Sequence, residues 1–240
     1  MITRALFRQL NAHGTQTATA PIFRSRAVFT SLPGIPAKNP RISRIATRAT
    51  KEGETHENAV FEALKSRRTT GDFTDDIVSD EVVTRAVEAA RWAPNHKLTE
   101  PWKFYWLGGE AIEEISKLNA ALLEADGKPA KAKAKYERWR SIKGWLVVTA
   151  RRSLDNPLME QEDYAATCCA VQNLLLALHS EGVGTKWTTG AVTRTEEVAK
   201  VVGYDLNEET PVGIVWYGVP AREGKSLRRK QVTDILIRVP

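Results

Sequence analysis

The sequence predicts an α+β fold in which a small central mixed sheet is flanked by helices. Three observations carry this expectation. Two unbroken apolar runs, WLVVTA at 145–150 and VGIVWYGV at 212–219, have the continuity of strands covered on both faces. Around them lie longer stretches whose apolar residues recur at helical spacing. The two kinds of segment do not follow the regular strand–helix–strand order of a parallel sheet.

Residues 1–50 stand apart. They hold eight basic residues and no acidic one, whereas residues 51–240 hold 27 basic and 29 acidic. Ile2, Leu6 and Leu10 share one face of a helical pattern whose other face carries Arg4 and Arg8, and Pro21, Pro33, Pro36 and Pro40 interrupt the remainder of the segment. An acid-free, Arg- and Ser/Thr-rich start has the composition of an organellar transit peptide, and the Arg face favours the mitochondrion over the plastid. The blander alternative is a disordered basic tail that stays attached. Cleavage is expected near residues 48–51, which leaves 51–240 as a single domain.

In that body, residues 56–67 read as a helix with Val60, Phe61 and Leu64 on one face, ended by the polar turn TTGDFTDD. A second helix spans 80–92; Ser79 or Asp80 can cap it and Pro94 stops it. The loop PNHKLTEP leads to a strand at 103–107, and residues 109–122 are helical again. The charged stretch 127–143 reads as a solvated helix or a mobile surface segment. After the strand at 145–150 comes the longest helix, 161–181, apolar around nearly its whole circumference, which suits a domain centre or a subunit interface. Thr193 and Glu196 form a capping box for a helix that runs to Gly203. Beyond the strand at 212–219 the tail carries Arg228, Arg229 and Lys230, then a β-prone end, ILIRV.

Several function classes fall away. A body whose charges nearly balance lacks the basic surface of a nucleic-acid-binding domain. No run approaches the length of a membrane span. Cys168 and Cys169, adjacent within a helical pattern, cannot be a disulfide framework and read as small core residues. The four histidines are scattered, so no metal site is expected. Dinucleotide, Walker and nucleophile-elbow motifs are all missing.

What remains is four small clusters at the ends of elements: Arg67-Arg68-Thr69, Asn95-His96-Lys97, Trp187-Thr188-Thr189-Gly190 and Arg228-Arg229-Lys230. Each alone reads as ordinary surface charge. Together they offer several cations with hydroxyl and amide donors to one anion, and arginine forks suit phosphate. An aromatic and a glycine nearby suit a flat ring. The combination describes a site for flavin mononucleotide (FMN), with its phosphate, ribityl chain and isoalloxazine.

The segments bearing these clusters resemble one family. The stretch SRRTTGDFTDDIVSDEVVTRAVEAARWAPNHKLTEPWKFYWLGGEAI is similar to the N-terminal signature of the FMN-dependent nitroreductases, and its APNHK loop resembles the YdjA-like branch. DYAATCCAVQNLLLALHSEGVGTKWTTGAV resembles the family's central helix and Gly-x-x-Trp turn, and PVGIVWYGVPAREGKSLRRKQVTDIL its last core strand and basic tail. The matches follow the family's order over about residues 58–237.

The resemblance implies a nitroreductase-like, dimeric α+β fold: an obligate homodimer with two FMN at the interface, each contacted by both subunits. It implies that Arg67, Arg68 and Thr69 meet the flavin phosphate and ribityl chain, that His96 and Trp187-Thr188-Thr189 contact the flavin, and that Arg229 with Arg228 closes on the phosphate. Neither a catalytic residue of the protein nor a metal is implied. Three positions depart from the family pattern. Glu100 replaces a Gln before Pro101-Trp102, Gly71 stands where many members have Arg, and Thr188 replaces the Arg of a Trp-Arg-Ser. Each removes a donor or adds negative charge beside the cofactor. The implied activity is transfer of hydride from NAD(P)H through FMN to nitroaromatic, quinone or similar acceptors. The alternative is a non-catalytic flavin store or sensor on the same fold.

Overall fold

The two apolar runs become the inner strands of a four-stranded sheet. In this computed structural model, residues 59–224 and 229–239 are described, all within the compact unit His56–Pro240. The expected transit peptide and Arg228 lie outside the described residues. In chain order the elements are α1 (Ala59–Ser66), α2 (Asp80–Ala90), β1 (Trp102–Trp106), α3 (Gly109–Ala125), α4 (Pro129–Ser141), β2 (Gly144–Arg151), α5 (Pro157–Ser180), β3 (Gly184–Thr188), α6 (Glu196–Val202) and β4 (Glu209–Gly218). The sheet order is β1-β2-β4-β3, and each ladder is antiparallel.

The expectation of a mixed sheet is corrected by the connections. The helix pair α3–α4 returns the chain to the end where β1 stopped, so β2 runs back against it. The single helix α5 carries the chain from β2 to a strand of the same direction, β3, but β4 inserts between them and opposes both. One parallel contact survives among the described residues, the isolated bridge between Thr69 and Thr185.

Successive side chains of a strand face opposite ways, and β2 shows the consequence. Leu146 and Val148 pack with Val83, Ala86, Val171 and Leu174 of α2 and α5. Trp145 and Val147 face the other layer, with Ile115 of α3, Trp139 of α4 and Trp216 of β4. The rings of Trp139, Trp145 and Trp216 lie 5.1–5.6 Å apart, two of the three pairs edge-on.

This cluster corrects the reading of 127–143. The segment is a helix, exposed over most of its surface as one of the two readings had it, but not wholly solvated: α4 docks on α3 and buries Ala132 and Trp139 at a spacing of two turns. Two buried residues suffice because one is a tryptophan. The helix at 161–181 begins earlier, at Pro157, where the Asn156 side chain accepts from Met159 N–H at 3.1 Å. It buries one side (Ala166, Ala170, Val171, Leu174 and Leu178), while Ala165 and Cys169 stay exposed. The capping box is also corrected. Thr193 lies in a 3-10 turn, Ala191–Arg194, with its hydroxyl donating to the Gly190 carbonyl at 2.7 Å; Thr195 is the cap of α6 and accepts from Val198 N–H. The apolar end ILIRV pairs with no strand, so its β propensity has no ladder to join among the described residues.

Candidate functional site

The chain just past α1 is held against both β3 and the end of β4. Thr70 N–H donates to Thr185 O at 2.9 Å, Thr74 N–H to Val219 O at 2.9 Å, and Ala221 N–H to Asp72 O at 3.0 Å. These bonds close a hollow of about 290 Å³ lined by Arg67, Arg68, Thr69, Gly71, Arg222 and Arg229 among others. Four guanidinium groups meet there. Arg222 is neutralised by Asp72, which Arg138 of α4 also engages at 3.2 Å. Arg68 turns back to the α1 terminus and donates to the carbonyls of Lys65 and Arg67. The Arg67 guanidinium has no acceptor and no acid among the described residues. Burial, then Arg229, then Arg68 push its pKa below the ordinary arginine value.

Behind this cluster sits His179, near the C-terminal end of α5, with Nε2 at 2.8 Å from Ser66 Oγ. Burial, then Arg67 and Arg68, push its pKa down. A convergence of uncompensated positive charge that disfavours its own ionisation is matched to a multiply charged anion, and fork-shaped donors match phosphate in particular.

Trp187, Thr188 and Thr189 leave this hollow along β3. The Trp187 indole N–H donates to Val212 O at 3.2 Å. That fit needs Gly213, whose φ is +149° and whose missing Cβ would stand 2.5 Å from the indole nitrogen. The Trp187 N–H is therefore occupied within the protein, and what it can offer a ligand is its ring. Thr188 pairs with Ile214 at the end of β3, and Thr189 gives its carbonyl to Arg194.

His96 is not part of the cluster within one chain. Its Nδ1 lies 2.7 Å from Glu162 Oε2, near the start of α5. His179 is 17 residues further along the same helix, and at 1.5 Å per residue the two ends stand about 25 Å apart. The His96 loop is unusual in itself. Lys97, Leu98 and Glu100 have φ of 55°, 53° and 42°, left-handed values that cost non-glycine residues about 1–3 kcal/mol each. Asn95 Oδ1 holds the loop by accepting from Glu100 N–H at 3.0 Å, and Thr99 donates to buried Asp163 at 2.6 Å.

A second hollow of about 310 Å³ near the start of α5 is lined by Ala150, Arg151, Pro157, Gln161, Tyr164 and Thr210 among others. Its arginine is already paired with Asp163 at 2.8 Å, so it offers an anion nothing comparable.

The pattern of known sequences decides the family. The Nitroreductase family model matches residues 64–219, from the end of α1 to the end of β4. The chain belongs to the nitroreductase family. Among curated relatives, YfhC of Bacillus subtilis, named as a candidate NAD(P)H nitroreductase, is 27% identical over 184 residues, covering 75% of this chain and 94% of its own. YdjA of Escherichia coli K12, named likewise, is 28% identical over 166 residues, covering 67% and 87%. A candidate nitroreductase from Desulfovibrio desulfuricans, solved in complex with FMN, superposes with a TM-score of 0.61 at 28% identity, covering 77% of this chain and 98% of that one. The α+β fold is thus the nitroreductase fold, and the family is one of oxidoreductases.

Sequence reasoning missed three residues at or beside this candidate site: Arg138, His179 and Arg222. The one available signal for Arg138 was its neighbour Trp139, a lone large aromatic in an otherwise charged run. The others are brought in by strand pairing and by the packing of α1 on α5, which leave no local trace.

Proposed function

We propose that the protein is an FMN-dependent oxidoreductase that works as a homodimer, taking hydride from NAD(P)H and reducing nitroaromatic, quinone or similar acceptors. The observation that carries this reading is the Arg67 guanidinium, unpaired among the described residues and flanked by Arg68 and Arg229 at an arginine-lined hollow of about 290 Å³. The residues present fit the cofactor. Arg67 would fork the phosphate with Arg229 closing from the tail, the Thr69 hydroxyl would meet the ribityl chain, and the Trp187 ring and Thr188 would meet the isoalloxazine. Arg228, outside the described residues, is proposed as a further phosphate contact. The bound flavin supplies the two-electron chemistry, and the protein supplies position and charge.

His96 meets α5 at Glu162 and the arginines lie near His179, two positions about 25 Å apart along the helix, which sets the two groups toward opposite ends of α5. A two-fold axis across the middle of α5 sets the start of one copy's helix beside the end of its partner's. His96 then reaches the flavin held by the other subunit. Exposed apolar side chains support that assembly at both ends: Phe61 and Leu64 on α1, Ile235 and Leu236 in the tail, Leu158 and Tyr164 on α5. Residues 1–50 are assigned to organellar import.

Purified protein tests the reading directly. It is expected to be yellow, to release FMN on denaturation, and to bleach when NADPH is added without oxygen. A yellow protein that does not bleach would instead be a flavin store, and a colourless one that takes up no FMN would reject the assignment. Light scattering at micromolar concentration should give twice the chain mass.

A further inference from the structure

The stretch 128–143 gathers seven of the body's 27 basic residues and one of its 29 acidic ones, so the rest of the body, with 20 against 28, is acidic. Helix α4, inside that stretch, sorts its cations to the two sides of its buried edge, Ala132 and Trp139. On the side toward α3, Tyr136 donates to Glu113, and Arg140 lies 3.3 Å from the same carboxylate. The other side carries Lys131, Lys135 and Arg138 at i, i+4 and i+7. They make a stripe about 10 Å long at the helical rise.

The stripe ends at the arginine hollow. Arg138 donates to the Gly71 carbonyl at 3.4 Å and to Asp72 at 3.2 Å, two residues that line it. From there Lys135 and Lys131 lead away along the helix. No acid pairs with either lysine among the described residues. Asp72 is shared by Arg138 and Arg222, and Asp126, on which Lys131 acts only at a distance, is bonded to Lys128. The placement works against the helix itself. Lys128 is its N-cap and Lys131 lies in its first turn, where there is no acid and where the dipole favours anions. The cations also oppose one another: burial, then Arg138 and Lys135, push the pKa of Lys186 on β3 down. Charges held in this way are relieved by an anion.

Three features set its kind. No large apolar side chain of α4 is exposed, so the face has nothing to insert into a lipid interface. A stripe of three cations is far smaller than the roughly 800 Å² that a stable protein partner covers. Its outer cations are lysines, mobile point charges, where the hollow presents arginine forks. Such a grip suits a phosphate that enters and leaves in each turnover, as the arginines suit a resident one.

We propose that Lys131 and Lys135 bind the 2′-phosphate of the hydride donor, so that the donor is NADPH in preference to NADH. The proposal rests on the FMN oxidoreductase reading above and names its donor. NADPH and NADH differ by that one phosphate, which carries nearly two negative charges at neutral pH. The stripe places uncompensated positive charge beside the hollow, where only the phosphorylated donor gains from it.

The test uses the full chain loaded with FMN. In the parent, kcat/KM is expected to be about tenfold or more higher for NADPH than for NADH, with the difference carried by KM. Lys131→Gln with Lys135→Gln removes the charges and keeps the stems. It should lower the NADPH value by about tenfold, keep the rate at saturating NADPH, and change the NADH value much less. Lys131→Arg with Lys135→Arg should retain the preference. Calorimetry reads binding without turnover: adenosine 2′,5′-bisphosphate should bind the parent more tightly than adenosine 5′-monophosphate, and the Gln double variant should bind the two alike. A parent without preference for NADPH, or a Gln double variant that keeps it, overturns the proposal. An equal loss for both donors also overturns it, because the lysines would then be general steering charges. Sedimentation of the parent with anionic lipid vesicles, lost in the Gln double variant at unchanged donor preference, would assign the face to a membrane instead. A chain that takes up no FMN, or whose FMN neither donor bleaches, overturns the reading beneath the proposal, and the proposal with it.

Discussion

Replacing Arg67 separates two roles that predict opposite signs in the free protein. If Arg67 is a C-terminal cap of α1, its charge favours the helix dipole, and Arg67→Met should cost the free protein about 0.3–1 kcal/mol. If it is an anion-binding residue, its charge is a burden until the anion arrives. The structure supports the second sign. The guanidinium is half-buried and without an acceptor among the described residues, and burial, Arg229 and Arg68 all act against its ionisation. It is Arg68, not Arg67, whose side chain reaches the terminal carbonyls of α1. Arg67→Met is therefore expected to leave the FMN-free protein as stable as the parent or more so. Binding should move the other way. A charge-assisted hydrogen bond is worth about 1.5–3 kcal/mol, so loss of one fork weakens FMN binding by roughly ten- to a hundredfold. Arg67→Lys keeps the charge but not the two-pronged geometry, and should recover only part of the affinity. Quenching of FMN fluorescence on binding gives the affinity, and thermal unfolding of the flavin-free protein gives the stability. A variant that loses free-protein stability while keeping its FMN affinity would refute the reasoning.

Three further outcomes are expected. Trp139→Ala removes the anchor of α4 from the three-tryptophan cluster and should cost about 3–5 kcal/mol, measured by urea unfolding; an unchanged midpoint would show that α4 is held elsewhere. Burial would raise the pKa of Glu209, but donors from Lys103, Thr149 and Tyr105 hold it below the ordinary value. A depressed carboxyl contributes stability above its unfolded value, 4.5, that is lost as pH falls through the folded one. Glu209→Gln should thus cost about 1–3 kcal/mol at neutral pH and flatten the acid limb of the stability curve; parallel curves for parent and variant would exclude the network as the cause. The pKa of His179, pushed down by burial and by Arg67 and Arg68, should rise when FMN or inorganic phosphate neutralises those arginines, as followed by NMR of the ring protons. A pKa that does not move with saturating FMN would place the phosphate elsewhere.

The fold was legible where a single segment states its own environment. Residues 145–150 and 212–219 are apolar without interruption because the inner strands β2 and β4 are covered on both sides. Arg67, Arg68 and Thr69 were legible because a run of donors follows the end of a helix. Sheet order was not legible. Nothing in the composition of β4 says that it inserts between β2 and β3 rather than beside them, since both choices bury the same side chains. The docking of α4 was hidden by averaging: two buried residues in a helix of 13 leave its mean polarity that of a solvated helix. His96 shows a third limit. Its neighbours in sequence suggest a ligand, but its distance from Arg67 is set by the length of α5, and only the packed helix reveals that the two lie toward opposite ends of it.

The closure of the arginine hollow also has a consequence for the order of events in synthesis. Asp72 is joined to Arg222 across a separation of 150 residues, and Thr74 to Val219 across a similar span. Contacts between such distant positions form only after both partners exist, and they carry the loop-closure cost of everything between. A growing chain makes α1 early but cannot complete the hollow until residues 219–229 have been added, at about 5–20 residues per second. Until then Arg67 and Arg68 lack Arg229 and the closed walls of the hollow, so a phosphate-bearing ligand gains its full set of contacts, and its stabilising effect, only with the finished chain.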